Sequence, residues 1–506
     1  MTSSPPAPAH PVVPEAGTAH SVLGALRSPR RLRTEVLAGL VVALALIPEA
    51  ISFSILAGVD PRVGLFSSFV MAVSLAFLGG RPAMISAATG AVALVVAPLV
   101  RDHGLDHLLA TVILGGLIQV ALGLCGVARL MRFIPRSVMV GFVNALAILI
   151  FVAQVPHLLH VPWVVYPLVA VGIAVLVLLP RVTTAVPAPL VVIVLLTAAT
   201  VVLSLQVPRV RDEGALPERL PSLVWPDVPL TLDTLRIIAP YALGMALVGL
   251  LESLMTAKLV DDVTDTHSDK TREAWGQGVA NVLSGLFGGM GGCAMIGQTM
   301  INVKASGART RISTFLAGAF LLVLVVGLGD VVGAIPMAAL VAVMVMVSVG
   351  TFDWHSVRPA TLRRMPLSET LVMVLTVGVV VATHNLAYGV VAGVVAAMVL
   401  FARRVAHLTT VTVRSDDGGR RVYAVSGALF FASSNDLVYQ FDYDGDPEHV
   451  VVDLSGAHVW DASTVAALDA ITTKYRAKGK QVQIVGLNAD SARRHDRLAG
   501  RLGGGH

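Results

Sequence analysis

Two carboxylates lie in stretches otherwise fit for the interior of a membrane. Glu252 sits in Gly249-Leu250-Leu251-Glu252-Ser253-Leu254-Met255-Thr256, and Glu49 in Ile47-Pro48-Glu49-Ala50-Ile51-Ser52-Phe53. A charge at the bilayer centre costs roughly 3 kcal/mol or more, so such residues pair, face water or carry function. Thr256 follows Glu252 by four positions, which on a helix puts the two on one face. A carboxylate beside a hydroxyl oxygen is a seat for Na⁺, and a lone buried carboxylate is a proton carrier. The competing reading is a Glu snorkelling to the cytoplasmic interface. Apolar residues flank Glu252 on its N-terminal side for more than two helical turns, which favours function. At Glu49 the preceding Pro48 loosens the helix and frees a carbonyl, and Phe53 shares the face. The plain alternatives there are a charge pair for Glu49 and a core position for Phe53.

The chain must also offer something to an anion, and helix starts inside the bilayer do that through free backbone N–H groups and the positive dipole end. Two apolar segments follow glycine-rich breaks. Gly79-Gly80-Arg81-Pro82 precedes one expected over Met84–Val100, and Gly288-Gly289-Met290-Gly291-Gly292 precedes another over Cys293–Val303. Around Ser86–Thr89 and Ala294–Gln298 the side chains are small or neutral, so backbone can approach a ligand. Close helix packing of small residues is the bland alternative. The segments echo each other as Ala83-Met84-Ile85 and Ala294-Met295-Ile296, each with a threonine nearby. Each is the third segment of a seven-span half, the pattern of an inverted-repeat transporter with its site at the midplane.

These segments belong to a chain of 506 residues that is 55% hydrophobic and 14% charged, with a mean hydropathy of +0.78. Apolar runs of spanning length recur between about residues 37 and 402, and fourteen spans are predicted, divided into halves by a polar connector from Gln206 to about Leu235. With the N-terminus inside, the loops containing Arg27, Arg30, Arg31, Arg33, Arg129, Arg132, Arg136, Lys270, Arg272, Lys304, Arg309, Arg311, Arg358, Arg363, Arg364, Arg403 and Arg404 all fall in the cytoplasm. Residues 1–32 read as a disordered cytoplasmic tail, without the apolar region of a signal peptide. Residues 33–407 form the membrane domain, and 408–506 a cytoplasmic domain in which strands (Val422–Val425, Leu429–Phe431, Val450–Leu454, Val482–Val485) alternate with helices (Ser434–Gln440, Ser463–Arg476, Ala489–Leu498), a small α/β fold. The net charge of +5 is spread over short loops, which argues against nucleic acid. Cys125 and Cys293 form no metal or disulfide pattern, a P-loop is absent, and no nucleophile–base constellation suggests an enzyme.

Together these residues resemble the sulfate permease (SulP) family of anion transporters over nearly all of positions 33–500. The resemblance is carried by Ile47-Pro48-Glu49-Ala50, Ile85-Ser86-Ala87-Ala88-Thr89-Gly90, Glu252-Ser253-Leu254-Met255-Thr256, Gly276-Gln277-Gly278 with Asn281, and the stretch from Gly288 to Arg311. It implies seven plus seven inverted spans in core and gate domains, a homodimer in the inner (plasma) membrane with both termini cytoplasmic, and a C-terminal STAS domain that could hold a cytoplasmic partner. Val451–Gly456 and Asp461–Thr464 fit that domain. Ser463 matches the serine phosphorylated in related anti-sigma-factor antagonists, although a helix start with Asp461 or Ser463 as its cap explains the position as well. The resemblance further implies a coupling ion, Na⁺ or H⁺, at Glu252 and Thr256. It implies anion contacts from Thr89, Ala294, Met295 and Ile296, with Glu49 and Phe53 lining the site. Glu49 replaces the family's usual glutamine, and Gln298 stands where some relatives carry an arginine. Two carboxylates without a fixed cation favour cation-coupled symport of a small anion (bicarbonate, sulfate or a dicarboxylate) with no other cofactor. An exchanger of the same fold, or a membrane-anchored STAS regulator without transport, is the alternative.

Overall fold

The computed structural model describes residues 21–127, 134–183, 187–229, 231–406, 409–416 and 419–499. The expected tail up to residue 20 and the basic residues Arg129 and Arg132 lie outside them. The chain divides at Gly393/Val394 into two compact units.

In the first unit the helices are α1 (Val22–Leu26), α2 (Pro29–Ala57), α3 (Pro61–Leu78), α4 (Gly90–Leu124), α5 (Arg136–Val152), α6 (Val165–Val182), α7 (Ala188–Val202), α8 (Leu232–Thr264), α9 (Lys270–Leu286), α10 (Ile296–Met300), α11 (Arg311–Gly327), α12 (Gly329–Gly333), α13 (Met337–Thr351), α14 (Pro359–Arg364) and α15 (Leu367–Thr383), with α16 (Leu386–Ala406) running across the division. Strands β1 (Ser86–Ala87) and β2 (Cys293–Ala294) precede α4 and α10. Of residues 21–32, assigned above to the tail, 22–26 and 29–32 are helical: Ser21 accepts a hydrogen bond from Gly24 N at 3.3 Å to cap α1, and Pro29 opens α2 at a position that needs no N–H donor. Among the described residues, seven helices (α2, α3, α4, α5 with the turn after it, α6, α8, α16) are long and apolar enough to cross a bilayer, and α7, α11, α13 and α15 are shorter apolar helices. Helix α4 is interrupted at Gly104, whose φ of 80° is non-helical, so it consists of two helices where two spans were expected.

Packing sorts these helices into two groups. Helices α2, α3, α4, α8, α9 and α11 pack on one another, and α5, α6, α7, α13 and α15 form the second group. The two groups stand where a core and a gate were expected. At the α4–α9 crossing Gly116 faces Gly278, and a Cβ on either would stand 2.6 Å from the other's carbonyl oxygen. Only glycine allows that approach, which brings the two backbones into van der Waals contact where no hydrophobic effect drives helices together.

The third and tenth segments differ from expectation at their starts. The helices do not begin at Met84 and Cys293. Each segment first runs extended and pairs with the other, antiparallel, in the register Ser86↔Ala294 and Ala87↔Cys293. Only then do α4 and α10 begin, and α10 passes at Ile301–Ala305 into a π-helical turn. The reason is local. Ala83 (φ 60°) and Gly291 (φ 72°) are in the left-handed region, which breaks the helix, and the extended residues behind them satisfy each other's backbone groups in a place without water.

The second unit is a four-stranded sheet, ordered β3 (Thr410–Asp416), β4 (Arg420–Leu429), β5 (His449–Val459), β6 (Gln481–Val485), with α17 (Phe431–Leu437), α18 (Ala462–Ala477) and α19 (Ala489–Leu498). β3 pairs antiparallel with β4, and the other pairs are parallel. Val450, Val452 and Leu454 of β5 pack against Val465, Leu468 and Ile471 of α18 in its core. Two expectations are corrected. Leu429–Phe431 is no separate strand, because Leu429 ends β4 and Phe431 starts α17. Strand β3 was missed: it lies at the sheet edge, mostly exposed, and lacks an apolar run.

Candidate functional site

The crossing of the two half-helices opens into a cavity of about 440 Å³ whose lining includes Glu49, Phe53, Thr89, Glu252, Met295, Ile296 and Gln298. Seven of the nine positions named from the sequence thus meet at one place. Ala294 and Thr256 do not line it.

Helix α2 supplies Glu49 and Phe53 from one face, next to the break in its hydrogen bonding at Pro48. Phe53 lies against the start of α4, where a Cβ at Gly90 would come within 2.8 Å of its ring. Thr89 is the N-cap of α4 and accepts from Val92 N at 3.4 Å, so its hydroxyl sits at the positive end of that helix. Helix α10 starts at Ile296 without a side-chain cap, and its first turn, Ile296, Gly297 and Gln298, lines the cavity. The amide side chain of Gln298 interacts with Glu49, so the first-repeat carboxylate faces a second-repeat donor.

Glu252 comes from the buried middle of α8. Its Oε2 accepts from the thiol of Cys293 at 2.9 Å, and that sulfur lies 3.0 Å from Thr89 Oγ1. The next residue, Ser253, accepts from Ala294 N at 3.1 Å, while Met295 N donates to Ile85 O at 2.9 Å. The amide of Ala294 is therefore committed to α8 and that of Met295 to the partner segment, and neither is a free anion donor. Thr256 donates to the main-chain carbonyl of Glu252 at 2.8 Å rather than to its carboxylate, which is the usual outlet for a threonine inside a helix.

Behind the crossing lies a polar layer that sequence reasoning left without a role. Glu273, Gln277, Asn281 and Ser284 follow one another along one side of α9, and all are buried. Asn281 donates to Gly292 O (3.1 Å) and Gln119 Oε1 (2.8 Å) and accepts from Gly292 N (2.8 Å). Gln277 donates to Ser86 Oγ at 2.7 Å, and Glu273 accepts from Gly80 N and Arg81 N at 2.7 and 3.0 Å. From α3, Ser67 donates to Gly291 O at 2.7 Å and Ser68 accepts from Ala88 N at 3.2 Å. The spacing of polar residues in Glu273–Ser284 was the available signal, a stripe on an otherwise weakly apolar helix. Glu35 was likewise missed as a buried carboxylate; it accepts from Arg309 N and Thr310 N at 2.8 and 3.0 Å ahead of α11. Among the described residues that line the cavity, none is lysine or arginine.

In the second unit Asp461 caps α18, accepting from Thr464 N at 3.0 Å. Ser463 is exposed in the first turn and is not the cap.

A model of the sulfate permease family matches residues 32–167 and 163–376, and a STAS-domain model matches 410–499. The chain is 54% identical to the putative sulfate transporter YbaR of Bacillus subtilis (strain 168) over 460 residues, 91% of this chain and 95% of that protein. It is 26% identical over 520 residues to the bicarbonate transporter BicA of Synechocystis sp., covering 93% and 91%. Among solved structures, the transmembrane domain of a cyanobacterial BicA superposes with a TM-score of 0.62 at 26% identity, covering 73% of this chain and 98% of that one. SLC26A9 superposes with 0.78 at 17% identity, covering 92% and 86%, a likeness of fold.

Proposed function

The chain belongs to the sulfate permease family, a family of multi-pass membrane transporters rather than enzymes, and on that premise we propose that it carries a small anion across the membrane in symport with H⁺ or Na⁺. One observation supports this reading above the rest: two carboxylates from different helices line the cavity, with no lysine or arginine among the described residues that line it. At an effective dielectric of about 20, a carboxylate roughly 7 Å away opposes a monoanion by about 2 kcal/mol. Helix starts and neutral donors attract the anion, but two such charges oppose it until a cation joins. Glu252 is our candidate for holding the cation, with Thr256 beside it. The anion is held by Thr89 and by the first turn of α10, including Ile296 and Gln298, with Phe53 as the apolar wall. We place both termini and the basic loops in the cytoplasm, the protein in the inner (plasma) membrane, and the working form as a homodimer. The chemistry of the cavity suits bicarbonate, sulfate or a small dicarboxylate.

The test is counter-gradient uptake in proteoliposomes, with labelled bicarbonate, sulfate, fumarate and chloride each offered under an imposed pH or Na⁺ gradient. Concentrative uptake of one anion under one gradient, lost in Glu252→Gln, is the expected result. Flux indifferent to both gradients contradicts the symport reading, and absence of flux from folded, inserted protein turns attention to a regulator built around the STAS domain.

A further inference from the structure

Thr89, assigned to the anion, and Glu252, assigned to the cation, come from different halves of the chain, and one side chain touches both. Cys293, fully buried in β2, donates its thiol proton to Glu252 Oε2 at 2.9 Å and stands 3.0 Å from the hydroxyl of Thr89. Strand pairing fixes it there: Cys293 is the register partner of Ala87, two residues before Thr89, and Ser253, adjacent to Glu252, binds the amide of Ala294. Both oxygens it reaches belong to residues lining the cavity, while Cys293 itself lies behind them.

A thiol carries one proton. While that proton points to the Glu252 carboxylate, sulfur is left as an acceptor for Thr89, whose O–H is then directed away from the cavity. Thr89 keeps a lone pair for Val92 N, consistent with the 3.4 Å contact there. When a cation occupies Oε2, the thiol loses that acceptor and turns its S–H to Thr89 Oγ1. The threonine O–H is released and can donate into the cavity. No bond to hydrogen breaks in this sequence; two rotors turn.

We propose that Cys293 is a positioning residue that couples cation occupancy at Glu252 to the hydrogen-bond donor which Thr89 offers the anion. The inference rests on the coupled-transport reading above. It predicts that a side chain able both to donate and to accept at position 293 preserves coupling, and that one able to do neither abolishes it without emptying the anion site.

The experiment compares wild type, Cys293→Ser and Cys293→Ala in proteoliposomes, measuring the KM for labelled sulfate, bicarbonate and fumarate at low and saturating Na⁺ and at two pH values. In wild type the KM of the transported anion should fall by about fivefold or more as the coupling cation rises, the lower end of ordinary coupling between sites. Cys293→Ser should keep that shift. Cys293→Ala should show a KM that does not respond to the cation, while anion exchange at equal cation concentrations persists and reports intact folding. A shift in Cys293→Ala equal to wild type overturns the inference and leaves the symport reading standing. Loss of the shift in both variants also overturns it, since the sulfur would then act through its volume. A wild-type KM indifferent to both cations overturns the symport reading itself, and the inference with it.

Discussion

Glu49 and Glu252 face the same cavity from α2 and α8, yet their surroundings differ. Glu252 is tied to Cys293 and Glu49 to Gln298, so they should respond differently to neutralisation. Glu252→Gln is expected to abolish concentrative uptake, because the cation loses its charge partner. Glu49→Gln removes one repulsive charge and should lower the anion KM by roughly tenfold while uptake persists, as read from initial rates at varied anion. Both carboxylates were legible in the sequence, since a charge within an apolar run is a local feature. Cys293 was not, because its role depends on Thr89, 204 positions away, and Glu252, 41 positions away. Thr256 was read correctly as sharing a helix with Glu252, but its hydroxyl is spent on a main-chain carbonyl. In the STAS domain, Ser455 and then Arg414 hold the carboxyl of Asp453 below its usual value of 3.8. Its lowered value means that Asp453 stabilises the fold fully above about pH 4 and that this contribution fades as pH falls through the lowered value. Hydrogen exchange of the β5 amides should show that acid dependence, and Asp453→Asn should flatten it.

The elements that carry the site are the two broken segments, and their breaks were visible as glycine clusters. That the breaks continue as a strand pair was not, because two-residue strands have no periodicity and their partner lies in the other repeat. Gly292 shows how tight that pairing is: a Cβ there would collide with the carbonyl oxygen of Ala87. Gly292→Ala should therefore cost at least about 1–3 kcal/mol, the ordinary range for overpacking, and lower the thermal midpoint in detergent, whereas Gly297→Ala, which meets nothing within 4 Å, should leave it unchanged. The polar stripe of α9 holds the same elements from behind. In the second unit Asp446 does comparable work, accepting from Arg421 at 2.6 Å, Tyr423 at 2.8 Å and Tyr475 while its side chain is wholly buried. Asp446→Ala leaves the two phenols without their acceptor and Arg421 with Asp416 alone, and should destabilise that unit by about 3–5 kcal/mol in a denaturant titration.

For the whole molecule, the proposed topology assigns sides to the route. The cavity reaches Val347, Gly350 and Thr351 at the end of α13, the end that leads into the basic loop with Arg358. Towards the opposite side, Ser52, Ile55, Leu56, Gln154, His157, Met337 and Leu340 surround a gap of only about 10 Å³, too narrow for an anion. A Gln154→Cys variant in a Cys125→Ser background should thus react slowly with an impermeant thiol reagent added outside, and faster under conditions that drive transport, if alternating access opens this face. Coupling is the central claim, and it is thermodynamically reciprocal: a cation gradient that drives the anion implies an anion gradient that drives the cation. The direct measurement imposes an inward sulfate gradient on proteoliposomes with H⁺ and Na⁺ balanced, then follows lumenal pH and labelled Na⁺ together, and repeats this with bicarbonate and fumarate. The account predicts that entry of the transported anion carries one of the two cations inward against its own balance, and that Glu252→Gln stops this. Anion entry with neither cation following would contradict it.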